Sequence, residues 1–114
     1  MHEFAGGQLI RHVVMFKFRT GVTWSDPRAV AAERATASHP QHIEEILGWE
    51  FGRNLSSRPV AYDFVLIGTF ADHAAVDRYL THPDHLRGVR LWEAIATWVI
   101  ADFAGATFES AENR

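Results

Sequence analysis

One short segment, Tyr79-Leu80-Thr81-His82-Pro83-Asp84-His85, holds a phenol and two imidazoles. Imidazoles exchange protons near neutral pH, and a phenol can donate to a substrate oxygen, so the pattern suits acid/base work on a small molecule. Pro83 ends one predicted helix and opens the next, which puts His85 in a first helical turn. The helix N-terminus disfavours an added positive charge there. From a reference pKa of about 6.5, that keeps the ring neutral, the form a general base needs. Tyr79 shares an apolar stripe with Ala75, Val76 and Leu80, so its ring should be buried and its hydroxyl should need a partner. A third group, His12, interrupts an apolar strand face next to Val14. His85, Tyr79 and His12 are the catalytic candidates, with His82, Val14 and Trp92 around them as substrate-binding positions.

Each has a plainer alternative. His85 could be a core histidine that packs under Trp92 and bonds a carbonyl, and Tyr79 and His12 could be satisfied packing residues. His82 could cap the third helix or pair with Asp84. His82 and His85 are spaced to chelate, but only His12, Asp84 or His73 offers a further ligand, so no metal is expected. His39 and His42 flank Pro40 and read as solvated loop residues, as do Glu44 and Glu45 before the second strand. Trp24, Trp49, Trp92 and Trp98 read as core or interface residues. Ser56-Ser57 has no partner nearby. No dinucleotide fingerprint, phosphate-binding loop or nucleophilic serine elbow is present, and no cofactor is expected.

The elements that must position these groups are legible from periodicity. Ile10, His12, Val14, Phe16 and Phe18 alternate with Arg11, Val13, Met15 and Lys17, a first strand over 10–18. Ser25 or Asp26 can cap a helix with Pro27 in its first turn, running until Pro40. Strands follow at about 46–53 and 62–70, separated by turn composition over 54–59. Asp72 caps a second helix. Pro83 opens a third, with His85, Val89, Trp92 and Ala96 on one face, and a last strand covers 97–103. The order β-α-β-β-α-α-β is a ferredoxin-like α+β plait with an antiparallel sheet and an extra helix. The domain spans 10–103, with tails at 1–9 and 104–114.

The 114 residues make one domain and, at 47% hydrophobic, a folded one. A net charge of −3 gives no basic footprint, so neither nucleic acid nor an anionic membrane is an expected partner. Cysteine is absent, which excludes disulfides and thiolate chemistry. No apolar run approaches the roughly 20 residues of a membrane span. The opening Met-His-Glu-Phe-Ala-Gly-Gly lacks the cationic start of a signal peptide, so a cytoplasmic location is expected. The helices of such a plait cover one sheet face, yet both faces are apolar: Val13 and Met15 oppose Val14 and Phe16, and Val65 and Ile67 oppose Phe64 and Leu66. An uncovered antiparallel face should alternate to polar residues. The expected cover is a second copy, sheet to sheet, in a homodimer.

Three segments carry a family resemblance. Ile10 to Phe18 resembles the opening strand of the stress-responsive dimeric α/β-barrel (Dabb) family, and Gly48-Trp49-Glu50-Phe51-Gly52-Arg53-Asn54 is similar to its second strand. Tyr79 to His85 is similar to its Y-x-x-H-P-x-H segment, and the likeness covers about 10–103. It implies a dimer whose two sheets form a shared barrel, with a ligand cavity between sheet and helices in each subunit. The family includes plant stress proteins, a hydroxynitrile lyase and the polyketide cyclase that makes olivetolic acid. From the cyclase, the resemblance gives His85 the role of general base, Tyr79 that of its partner, and His12 a place at the pocket. Phe64 stands where the cyclase has a pocket histidine, which makes it a further substrate-binding candidate, and Ala32 where it has a tyrosine, so a more apolar pocket is expected here.

The leading expectation is a cofactor-independent, cyclase-like enzyme that removes a proton next to a carbonyl, for aldol or Claisen-type ring closure in a small apolar carbonyl compound. The alternatives are a non-catalytic stress-responsive dimeric binding protein, or a cofactor-free monooxygenase of the same fold.

Overall fold

Alternation of apolar side chains from Ile10 onward produces β1 (Ile10–Phe18), whose Ile10, His12, Val14 and Phe16 are buried. The computed structural model describes residues 8–105. The tails expected at 1–9 and 104–114 lie mostly outside the described residues. Helix α1 (Pro27–Ser38) starts at Asp26, whose carboxylate accepts from the Arg28 backbone N–H at 2.9 Å. A 3-10 turn, His39–Gln41, continues it past the expected stop, because Pro40 fits the first turn of such a segment. Strand β2 (Gly48–Arg53) begins later than Ile46. Strand β3 is Phe64–Phe70, and Asp72 caps α2 (His73–Leu80) by accepting from the Ala75 N–H at 2.8 Å. Helix α3 (Pro83–Glu93) leads into β4 (Ala96–Phe103).

The sheet has the order β2-β3-β1-β4 with every pairing antiparallel, a ferredoxin-like α+β fold. Register places the site. Trp49 pairs with Gly68, Gly68 with His12, and His12 with Asp102, so one row across the helix-facing side carries an indole, a gap, an imidazole and a carboxylate. Gly68 is the gap by necessity: a Cβ there would fall 2.7 Å from the Trp49 ring.

The core divides around this row. On one side Phe16 stacks on Trp92 at 4.1 Å between centroids, with Val14, Phe64, Leu66 and Ile95 about them. On the other, Ile10, Ile43, Phe70, Val76 and Tyr79 pack together. The outer face carries Val13, Met15, Ile67, Val99 and Phe103, and of these Met15, Val99 and Phe103 are exposed.

Candidate active site

Between the two halves of the core lies a cavity of about 140 Å³. Strands β1, β3 and β4 supply its floor through Val14, Phe16, Leu66, Trp98 and Ile100. Helix α3 adds Val89 and Trp92. The remaining wall holds Tyr79 and Leu80 from α2, His85 from α3, and Thr36 and His39 from the end of α1. Ile100 is 60% exposed and marks the mouth. Thr36 ties this wall together: its hydroxyl accepts from Trp92 Nε1 at 2.8 Å and donates to the Ala32 carbonyl at 3.0 Å. Its own carbonyl accepts from Trp49 Nε1 at 3.0 Å.

His12 is 2% exposed and its Nδ1 lies 2.5 Å from Asp102 Oδ1. An ionised carboxylate only accepts, so Nδ1 carries the proton and Nε2 is the ring nitrogen left for the cavity. His85 is half-buried, and its Nδ1 donates to the Leu80 carbonyl at 3.0 Å across the break between α2 and α3. Burial pulls its imidazole down to about 4, against the upward pull of that carbonyl bond, so the ring is neutral at pH 7. The neutrality expected from the helix end therefore has burial as its largest cause.

The Tyr79 ring lies 4.3 Å from His85 and 5.6 Å from His12, centroid to centroid. Burial, reinforced by the Asp102 carboxylate, pushes its phenol above the ordinary range, so it stays protonated and can donate. Among the described residues the hydroxyl has no hydrogen-bond partner, and Tyr79 and His85 meet by ring packing, not through a hydrogen bond. His12, Tyr79, His85, Val14 and Trp92 all line the one cavity.

Two expected substrate-binding residues do not. His82 caps α3, its Nδ1 accepting from the Asp84 backbone N–H at 3.0 Å, because the ring satisfies a donor that the helix start leaves free. Phe64 is 1% exposed and stacked against Trp92, so it packs the core beneath the cavity wall. Among the described residues, no group of three or more His, Cys, Asp or Glu is placed to hold a metal.

His39 corrects the expectation of a solvated loop. It is 3% exposed, lines the cavity, and its Nδ1 lies 2.7 Å from Asp84 Oδ2. A signal existed: Ala32, Thr36 and His39 fall at helical spacing on one buried stripe. Glu45 is likewise not free in solvent, since it accepts from Arg78 Nε at 3.0 Å. Asp102 was missed because an acid near a strand end reads as surface, and only the register sets it opposite His12.

Comparison with known proteins follows the same outline. The model of the stress responsive A/B barrel domain (Dabb) matches residues 10–104. An uncharacterized protein of Streptomyces coelicolor is 45% identical over 95 residues, covering 83% of this chain and 98% of that one. A dimeric ferredoxin-like protein of unknown function from Thermobifida fusca superposes with a TM-score of 0.75 at 25% identity, over 86% of this chain and 92% of that one. The hydroxynitrile lyase of Passiflora edulis does so with a TM-score of 0.74 at 16% identity, over 90% and 98% respectively. Shared architecture thus accompanies varied or unassigned chemistry.

Proposed function

Because this chain belongs to the stress-responsive A/B barrel domain family, we propose that its cavity is a cofactor-independent acid/base site for a small carbonyl compound. The observation that carries this reading is the convergence of three proton-handling side chains, from β1, α2 and α3, on one largely apolar hollow. His85 is the proton acceptor. Its Nδ1–H is tied to Leu80, which leaves the Nε2 lone pair for a carbon acid next to the carbonyl. The proton it takes from carbon is returned to the alkoxide that an aldol-type closure forms, so the ring ends the cycle neutral. Tyr79, always protonated, donates to the substrate oxygen as negative charge develops there. His12, held by Asp102 at Nδ1, faces the second oxygen with Nε2 and accepts from it in its hydroxyl or enol form. Val14 and Trp92 hold the hydrocarbon.

Size limits the substrate. A cavity of about 150 Å³ accommodates benzene, so the space of about 140 Å³ matches one small ring or a chain folded to that size. The same space supports a second reading, a binding protein that holds a small apolar ligand without turnover, since most of its lining is hydrocarbon.

His85→Ala separates the two. A positioned base contributes on the order of 10² to 10⁴ in rate, so turnover of a β-dicarbonyl test panel should fall by that factor while ligand affinity and assembly are kept. A wild-type protein inert across the panel that still binds an aromatic probe supports the second reading.

The proposed assembly is a homodimer through the outer sheet face, within the cytoplasm. Support comes from the apolar outer face and from the dimeric relative in Thermobifida fusca. Met15 sits on the central strand between Val65 and Val99, so Met15→Glu sets a charge at the middle of that interface. Light scattering should then give the mass of one subunit with native circular dichroism. A dimer persisting at micromolar concentration rejects the sheet-to-sheet arrangement.

A further inference from the structure

His39 and Asp84 form a second imidazole–carboxylate pair that the roles above leave unused. Asp84 immediately precedes His85 in the first turn of α3 and has two partners. His39 Nδ1 lies 2.7 Å from Oδ2, and Arg87 Nη2 donates to Oδ1 at 3.1 Å. Burial raises the Asp84 carboxyl, but these two partners outweigh it and hold it below its ordinary value, so it is ionised. It can therefore only accept, and His39 must donate Nδ1–H. Burial keeps His39 on the neutral side despite the carboxylate.

The local packing is built around this bond. Helix α3 passes so close to His39 that a Cβ at Gly88 would lie 2.7 Å from His39 Nε2. Gly88 is a helix-interior position, where glycine is less favourable than alanine, so the close approach has a local cost that tighter seating of the ring offsets. The far side of His39 faces the site: its ring lies 6.1 Å from His85 and 6.1 Å from Trp49. One side chain from the end of α1 thus fixes the turn that carries His85.

We propose that His39 is a positioning residue for His85: clamped to Asp84, it seats the first turn of α3 so that His85 keeps its bond to Leu80 and presents Nε2 to the cavity. The charged and titratable groups facing His85 are His39 from the end of α1, His12 from β1, Tyr79 from α2 and Asp84 beside it, with Arg87 reaching Asp84. The inference rests on the acid/base reading for its consequence in catalysis, but its geometry can be tested without a substrate.

Imidazole ¹⁵N spectra of the full chain provide that test, with His39→Asn, His39→Leu and Gly88→Ala as the variants. Asn can place an amide donor near the position of Nδ1 and keep the bond to Asp84; Leu cannot. The wild type should show His85 as a single Nδ1–H tautomer that remains neutral well below pH 6. In His39→Leu the His85 signals should move toward the average of two tautomers, with the titration midpoint rising toward the ordinary imidazole value of about 6.5. His39→Asn should restore the wild-type tautomer pattern, and His12 signals should be unchanged throughout. Should His39→Leu not fold, Gly88→Ala makes the same test, because its methyl displaces the His39 ring while alanine favours the helix. Unchanged His85 signals in a folded Leu or Ala variant would overturn the proposal, as would an Asn variant as perturbed as Leu. Survival of turnover in His85→Ala would remove the catalytic reading alone and leave these spectra unaffected.

Discussion

The floor and the helical wall of the cavity hold their imidazoles by different means. On the floor, His12 belongs to the central strand β1, flanked on both sides by paired strands, and a cross-strand carboxylate takes its Nδ1. In the wall, His85 hangs from a helix start and bonds a backbone carbonyl across the turn between two helices. The floor is set by register, which a single substitution does not shift. The wall is set by packing and by the bond between His39 and Asp84, which can loosen without unfolding the sheet. The difference suits a division of labour in which the floor binds an oxygen and the wall moves a proton.

Acid tests the wall most severely. His85 has a folded-state pKa of about 4, below the unfolded value of about 6.5. Between these values the unfolded chain binds the extra proton, so stability is complete above about pH 6.5 and falls as pH drops toward 4. His39 is shifted in the same direction and adds to the loss. For a half-buried ring, after allowance for solvent screening, the His85 share is on the order of 2 kcal/mol. Urea titrations at pH 7 and pH 4.5 should show this loss, and His85→Phe should reduce it. An identical pH dependence in the Phe variant would mean that the wall does not penalise the charged ring.

The floor is tested by Asp102→Ala. That change leaves His12 buried with its Nδ1–H unpaired, and a lost bond to a charged group is worth roughly 1.5–3 kcal/mol. Asp102 is partly exposed, which lets water replace it. The expected loss is therefore about 1–2 kcal/mol in chemical denaturation at pH 7. His85 spectra should remain those of the wild type, because the floor does not carry that ring. A shift of the His85 tautomer in this variant would show that the two walls are coupled and the contrast false.

What could be read from sequence follows the same division. Strand β1 was legible over 10–18 because alternation is local, and Asp72 and Pro83 marked helix starts because capping is local. Strand β2 was expected two residues early, since Ile46 and Leu47 carry strand-like side chains but precede the regular ladder; the Leu47 N–H still bonds the Thr69 carbonyl at 2.8 Å. The shared cavity of His12, Tyr79 and His85 rested on resemblance, as no spacing brings β1 to α2. Asp102 escaped notice, and Asp84 was set against His82 in place of His39, because their true partners lie 90 and 45 residues away in the chain. Phe64 was assigned to ligand through the resemblance and His82 through its place in the Tyr79 to His85 segment, and neither basis fixes which way a side chain turns. An aromatic ring can turn inward to its own core, and an imidazole can cap its own helix.

Tyr79 joins the two walls, and Tyr79→Phe should have the smallest effect on stability and the most specific effect on chemistry. The ring does the packing, against His85, His12, Phe70 and Trp49. The hydroxyl has no partner among the described residues and opens on the cavity, so its removal takes away no hydrogen bond that they make. Unfolding free energies should stay within about 0.5 kcal/mol of wild type, or rise slightly. If the phenol donates to a developing oxyanion, kcat should still fall by about 10² with KM little changed, as for other preorganised donors. A variant less stable by several times that margin would show the hydroxyl bonded within the folded protein. The oxygen would then be structural, and the floor and wall would be joined by a hydrogen bond in place of ring packing.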